Sequence, residues 1–104
     1  DIPIYIHPGR PHSAVIDAYY KDYVKQYRSI LSAGWGFTVE TATTGLRMVL
    51  SGIFDKYPNL KIILGHMGEG LPFLTWRINH SFGEIIPNQG KRLDLVKFSK
   101  NIFI

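Results

Sequence analysis

His7 and His66 close two copies of one arrangement. The first reads Ile2-Pro3-Ile4-Tyr5-Ile6-His7-Pro8-Gly9-Arg10, and the second Lys61-Ile62-Ile63-Leu64-Gly65-His66-Met67-Gly68-Glu69-Gly70. In each, a short β-branched apolar run ends in histidine and leads into a turn rich in proline or glycine. A strand that ends in a polar residue before a sharp turn presents that side chain at the sheet's C-terminal edge. That edge is where parallel α/β proteins place their ligands. Helical sequence separates the two copies, so the pattern points to an α/β enzyme site assembled from distant parts of the chain.

The intervening sequence agrees with this order. Residues 2–7 read as a strand, with Pro3 tolerated at its start. Period two puts Pro3, Tyr5 and His7 on one face and Ile2, Ile4 and Ile6 on the other. Ser13 is a helix N-cap candidate. From residue 14 to about 32, Ile16, Tyr20, Tyr23, Tyr27 and Ile30 recur at spacings of three and four, which predicts an amphipathic helix. Gly34-Trp35-Gly36 breaks it. A second helix is expected over about 38–56, with Val39, Ala42, Leu46, Val49, Leu50 and Ile53 as its apolar face, ended by Pro58 and Asn59. Gly45 and Gly52 would share a face of that helix and permit close packing. Residues 61–64 form a short strand apolar on both faces, as in a sheet covered by helices. A third helix runs over 71–80, with Pro72 in its first turn. Residues 83–92 read as loop, 93–99 as a short helix and 102–104 as a further strand. Strands alternating with helices imply βαβ units and a parallel sheet.

Composition narrows the function. Hydrophobic residues make up 45% and charged residues 19% of the 104, which is globular rather than disordered. There is no cysteine, which excludes a disulfide framework and thiolate metal sites and fits a reducing, cytoplasmic setting. No apolar run reaches the ~20 residues of a membrane span. The net charge of +4 is scattered, with a mild cluster at Lys91, Arg92, Lys97 and Lys100. That is thinner than the basic stripe of a nucleic-acid binder, and reads as solvated surface or as a bias toward an anionic substrate. Walker A, dinucleotide-fingerprint and serine-hydrolase motifs are absent. The opening at Asp1 directly into a strand, and the close in Asn101-Ile102-Phe103-Ile104, read as the ends of an internal stretch.

Several residues could carry chemistry. A neutral imidazole at a strand end suits His7 to a divalent metal, the alternative being a histidine bonded to nearby backbone. His66 fits either a second ligand or a general acid/base beside the metal. Glu69, three residues on, could orient His66 or bind substrate, or could simply favour the following helix dipole. Arg77 on the third helix suits a substrate carboxylate or an interface ion pair, and Arg10 shares that ambiguity. Trp35 and Phe37 could wall an aromatic pocket or belong to the core. Glu40 and His80 are weaker candidates, and His12 reads as solvated.

These residues also carry a family resemblance. Tyr5-Ile6-His7-Pro8, Gly36-Phe37-Thr38-Val39-Glu40-Thr41, the run from Ser51 to Phe73 and Trp76-Arg77-Ile78 resemble the amidohydrolase-related family. The resemblance is to its metal-dependent decarboxylases in particular, among them the γ-resorcylate, 5-carboxyvanillate and aminocarboxymuconate-semialdehyde enzymes. It covers nearly the whole chain and is most specific over residues 64–72.

The resemblance implies a portion of a distorted (β/α)8 TIM barrel, with residues 2–7 as strand five, 61–66 as strand six and 101–104 opening strand seven. It implies one divalent ion, zinc or manganese, with His7 as a metal ligand. His66 would handle protons beside the metal, with Glu69 as the carboxylate of the same turn, and Arg77 would reach a neighbouring subunit's substrate. The substrate class is a hydroxylated aromatic or related unsaturated carboxylic acid, and the assembly a homo-oligomer, dimer or tetramer. The family's first-strand ligand pair would precede Asp1 and its late-strand aspartate would follow Ile104. The 104 residues by themselves are therefore expected to be inactive. Two other readings stand beside this one: a metal-dependent hydrolase of an ester, lactone or amide, and a non-catalytic barrel fragment.

Overall fold

A computed structural model describes residues 2–85 and 101–104. Three short strands, β1 (Ile4–Ile6), β2 (Ile62–Leu64) and β3 (Ile102–Phe103), form one parallel sheet in the order β1-β2-β3. Ile4 pairs with Ile62 and Ile6 with Leu64, while Ile62 pairs in turn with Ile102. Parallel neighbours need long crossovers. The first crossover holds helices α1 (Ser13–Val15), α2 (Gly36–Leu50) and α3 (Ile53–Lys56); the second begins with α4 (Leu71–Ile85). The expected α/β class with a parallel sheet is therefore present.

The core lies between one face of this sheet and the helices. Val49, Phe54, Ile62, Leu64, Leu71 and Ile102 are buried together, with Ile6, Ala42, Met48 and Ile78 packed against them. Ile62, Leu64 and Ile6 point toward the helices, so alternation turns Tyr5 and His7 to the opposite face. That is how β1 frees its terminal histidine from the core.

Helix α2 is seated by its small residues. Its buried stripe is Gly36, Thr41, Gly45 and Val49; of the expected apolar face, Val49 is in the core with Ala42 and Ile53 packed against it, while Leu50 is exposed. The small residues of the stripe reflect backbone proximity. A Cβ on Gly45 would meet Leu64 Cδ1 at 2.8 Å and Leu71 Cδ2 at 2.9 Å. Gly45→Ala gains up to about 1 kcal/mol of helix propensity and loses about 1–3 kcal/mol to overpacking. Overpacking wins because Leu64 is fully buried. A lower urea midpoint at unchanged slope is the expected result, and a midpoint equal to or above wild type would refute this packing.

Three helices differ from expectation. The helix over 14–32 is instead a short α-turn, a π-helical segment (Ile16–Tyr20), turns, and a 3-10 segment (Arg28–Leu31). Of its expected apolar face Tyr20 is buried, as is Leu31 beside it, while Tyr23 and Tyr27 stand exposed. The cap is His12 rather than Ser13: its Nδ1 accepts from the Ala14 amide at 3.1 Å. The helix expected over 38–56 starts at Gly36 and is cut at Gly52, which takes φ +74°. Ser51 Oγ accepts from the Ile53 amide to start α3. Gly45 thus permits close packing as expected, while Gly52 serves as a hinge between helices. Helix α4 continues to Ile85, so the expected loop starts later than residue 83. The rest of that loop and the helix expected over 93–99 lie outside the described residues.

Asn101 ties the start of β3 down. Its buried Nδ2 donates to the carbonyls of Pro58 at 3.0 Å and Leu60 at 2.7 Å. No helix among the described residues is long and apolar enough to cross a membrane.

Candidate active site

β1 and β2 end side by side, and their two histidines meet. The ring centroids of His7 and His66 are 5.6 Å apart. Phe37, in the first turn of α2, closes a triangle with them, 6.1 Å from His7 and 5.8 Å from His66. All three contacts are edge-on, so the rings are held at steep angles to one another.

Gly65 makes this approach possible. A Cβ there would meet Tyr5 Oη at 2.7 Å, Pro8 Cδ at 3.0 Å and the Ile6 carbonyl at 3.1 Å. The Gly65 amide instead donates to that carbonyl at 2.9 Å and extends the pairing one step past the strands.

Past Gly65 the chain enters a left-handed turn. His66, Met67, Gly68, Glu69 and Gly70 take φ of +50°, +55°, +66°, +54° and +90°. For a non-glycine residue this conformation costs about 1–2 kcal/mol, and His66, Met67 and Glu69 all adopt it. Such strain persists only where surrounding structure enforces it, and it concentrates at functional sites. The turn is enforced on two sides. Gly68 lies so close to the residue that follows β3 that a Cβ would meet Ile104 Cγ2 at 2.5 Å, and Leu71 is buried in the core.

The turn's result is a fixed pair. His66 Nδ1 lies 3.0 Å from Glu69 Oε1. The other carboxylate oxygen, Oε2, accepts from Thr38 Oγ1 at 2.7 Å. A carboxylate accepts, so Nδ1 of His66 carries the hydrogen and Nε2 presents its lone pair. His7 is fixed in the same sense: its Nδ1 lies 2.8 Å from the Pro8 carbonyl, which only accepts. Its Nε2 therefore carries the free lone pair, the tautomer that metal-binding histidines adopt when the other nitrogen is anchored. The backbone-bonded and metal-ligand readings of His7 are thus compatible.

The other candidates are dispersed. Trp35 is 52% exposed and takes no part in the three-ring cluster, unlike Phe37. Arg77 is exposed on α4 and forms no ion pair among the described residues. Its neighbour Trp76 stacks on His80, with centroids 5.2 Å apart and planes within 4°. Thr38 is the residue that sequence reading missed, since no local spacing links it to Glu69.

A cavity of about 550 Å³ opens at the other end of the strands, lined by Ile2, Pro3, Lys56, Tyr57 and Lys61 among others. Its lining holds no histidine or carboxylate, so the acid–base and ligand chemistry gathers at the C-terminal edge. Among the described residues no group of three or more His, Cys, Asp or Glu could hold a metal ion. His7 has the chemistry and orientation of one ligand. A complete tetrahedral or octahedral set needs at least three more donors, protein or water.

The chain is thus a parallel α/β sheet with an anchored histidine pair at its C-terminal edge. This chain belongs to the amidohydrolase family, which it matches over residues 1–83. It is 51% identical over 80 residues to the γ-resorcylate decarboxylase of Polaromonas sp. strain JS666, covering 77% of this chain and 23% of that protein. A crystal structure of dihydroxybenzoic acid decarboxylase from the same organism, with bound manganese and the inhibitor 2-nitroresorcinol, superposes with a TM-score of 0.79. It is 40% identical, covering 97% of this chain and 30% of that one. The 5-carboxyvanillate decarboxylase of Sphingomonas paucimobilis gives a TM-score of 0.78 at 38% identity, with 97% and 30% covered. The chain therefore spans about a quarter to a third of the length of these relatives.

Proposed function

We propose that this chain is part of a (β/α)8 barrel, strands five to seven, in a metal-dependent decarboxylase of hydroxylated aromatic carboxylic acids. The observation that carries the reading is the anchored histidine pair on adjacent strand ends, with Glu69 bonded to His66. The named decarboxylase relatives supply the reaction class.

His7 Nε2 is one ligand of a single divalent ion, manganese or zinc, and the remaining donors come from outside this group of residues. When bound, the metal supplies Lewis-acid stabilisation of charge on the substrate's oxygens. His66 does the proton work. With Nδ1–H held by Glu69, its Nε2 can accept a proton and return one to the ring carbon that bears the carboxylate. Protonation of that carbon lets the C–CO2 bond break. The Phe37 ring walls the space between the histidines and shelters an aromatic substrate from water. Arg77, exposed on α4, is assigned to a neighbouring subunit's substrate carboxylate in a homo-oligomer.

The test is the whole protein loaded with manganese and offered dihydroxybenzoates. Release of CO2 with the matching phenol supports the reading; a new acid–alcohol or acid–amine pair from an ester, lactone or amide overturns it in favour of hydrolysis. His66→Ala should lower turnover by about 10²–10⁴-fold, the usual contribution of a positioned acid–base group, while sparing metal content. Equal loss of both would make His66 a ligand instead.

A further inference from the structure

We propose that Thr38 is a positioning residue for His66, acting through Glu69; as a statement about catalysis this rests on the decarboxylase reading above. Two contacts join three residues into one chain. Thr38 Oγ1 donates to Glu69 Oε2 at 2.7 Å, and Glu69 Oε1 takes the Nδ1 hydrogen of His66 at 3.0 Å. Each carboxylate oxygen thus has a different partner, on a different element. The carboxylate cannot turn about its terminal bond without breaking one of them. Glu69 is only 13% exposed, so water replaces a lost partner poorly.

The two anchors differ in rigidity. Thr38 sits in the first turn of α2, a helix packed into the core through Gly45 and Val49. Its branched side chain has few rotamers available on a helix. His66 sits on the strained left-handed turn, where backbone alone does not favour its position. The relay therefore transmits order from the helix to the turn. Phe37, the residue before Thr38, contacts both histidine rings from the same helical turn. One turn of α2 thus sets the wall of the site and the tautomer of its proton carrier.

The discriminating variants are Thr38→Val, which keeps shape and removes the hydroxyl, and Thr38→Ser, which keeps the hydroxyl. Both are made in the whole, metal-loaded protein. Thr38→Val should lower kcat for CO2 release about 10- to 100-fold, the range for loss of an outer hydrogen-bonding partner, with KM changed less than about twofold. Thr38→Ser should recover most of kcat. A second readout does not depend on activity: the ¹⁵N shifts of the His66 imidazole. They should report the Nδ1–H tautomer in the wild type and in Thr38→Ser, and a mixture of tautomers in Thr38→Val. A valine variant with wild-type kcat, a serine variant no better than valine, or an unchanged tautomer in Thr38→Val would each overturn the proposal. Should the valine variant fail to fold, Thr38→Ala carries the same comparison. A whole protein that releases no CO2 from any hydroxybenzoate sinks the decarboxylase reading alone, and the imidazole shifts then decide the relay.

Discussion

On the proposed function, replacing His7 with alanine in the whole protein should strip the metal and lower decarboxylase turnover about a thousandfold. The magnitude follows from the several kcal/mol that a bound divalent ion contributes as a Lewis acid, at about 1.4 kcal/mol for each factor of ten. The direction follows from geometry. Nδ1 of His7 is held by the Pro8 carbonyl, which leaves the lone pair of Nε2 free, and the ring lies beside His66 and Phe37. The fold should tolerate the change, because His7 is exposed and on the sheet face turned away from the core. Metal analysis beside a thermal melt decides it: full metal content in His7→Ala would remove His7 from the ligand set. Loss of metal without any fall in turnover would remove the metal from the mechanism.

Gly68→Ala is expected to be the most damaging small substitution, destabilising by about 2–5 kcal/mol. Two costs add. A left-handed backbone costs an L-residue about 1–2 kcal/mol, and the new Cβ would lie 2.5 Å from Ile104 Cγ2, an overlap in the class that costs about 1–3 kcal/mol. Gly70 separates the terms. It takes φ +90° but has no atom within 4 Å of a built Cβ, so Gly70→Ala feels the backbone term alone. Ile104 is 63% exposed, and truncating it to alanine should relieve part of the Gly68→Ala defect. Denaturant midpoints of the two singles and the Gly68→Ala/Ile104→Ala double form the needed cycle. Equal effects of Gly68→Ala and Gly70→Ala would show that Ile104 does not press on the turn.

The site was legible in the sequence where chemistry and local pattern coincide. A β-branched run, a histidine and a glycine-rich turn are all contiguous, so His7, His66 and their strands could be placed by eye. Glu69 followed from its spacing. What stayed hidden depends on tertiary contact. Thr38 bonds Glu69 across a wide gap in sequence. Phe37 and Trp35 look equivalent in the sequence, and only the entry angle of α2 decides that Phe37 meets the histidines. The segment 14–32 misled for a different reason. Its tyrosines recur at helical spacing, yet a tyrosine ring is amphipathic and tolerates water. With Tyr23 and Tyr27 exposed, burial is confined to Tyr20 and Leu31 and does not reward a helix continuous between them. Likewise Gly52 reads as one of a small-residue pair with Gly45, although its φ of +74° ends the helix instead. The left-handed sense of residues 66–70 could not be foreseen, since three of the five are not glycine.

The left-handed turn also fixes when the site can form. In an unfolded chain His66, Met67 and Glu69 avoid that conformation, so the segment does not fold locally and wait for partners. It needs β2 paired with β1 on one side, and β3 paired so that Ile104 beyond it seats against Gly68 on the other. Each pairing closes a long loop, which makes it entropically slow. The histidine–carboxylate pair therefore requires the sheet to be formed before it can close. Loosening either strand of that sheet is expected to part His66 from Glu69 even where the helices survive.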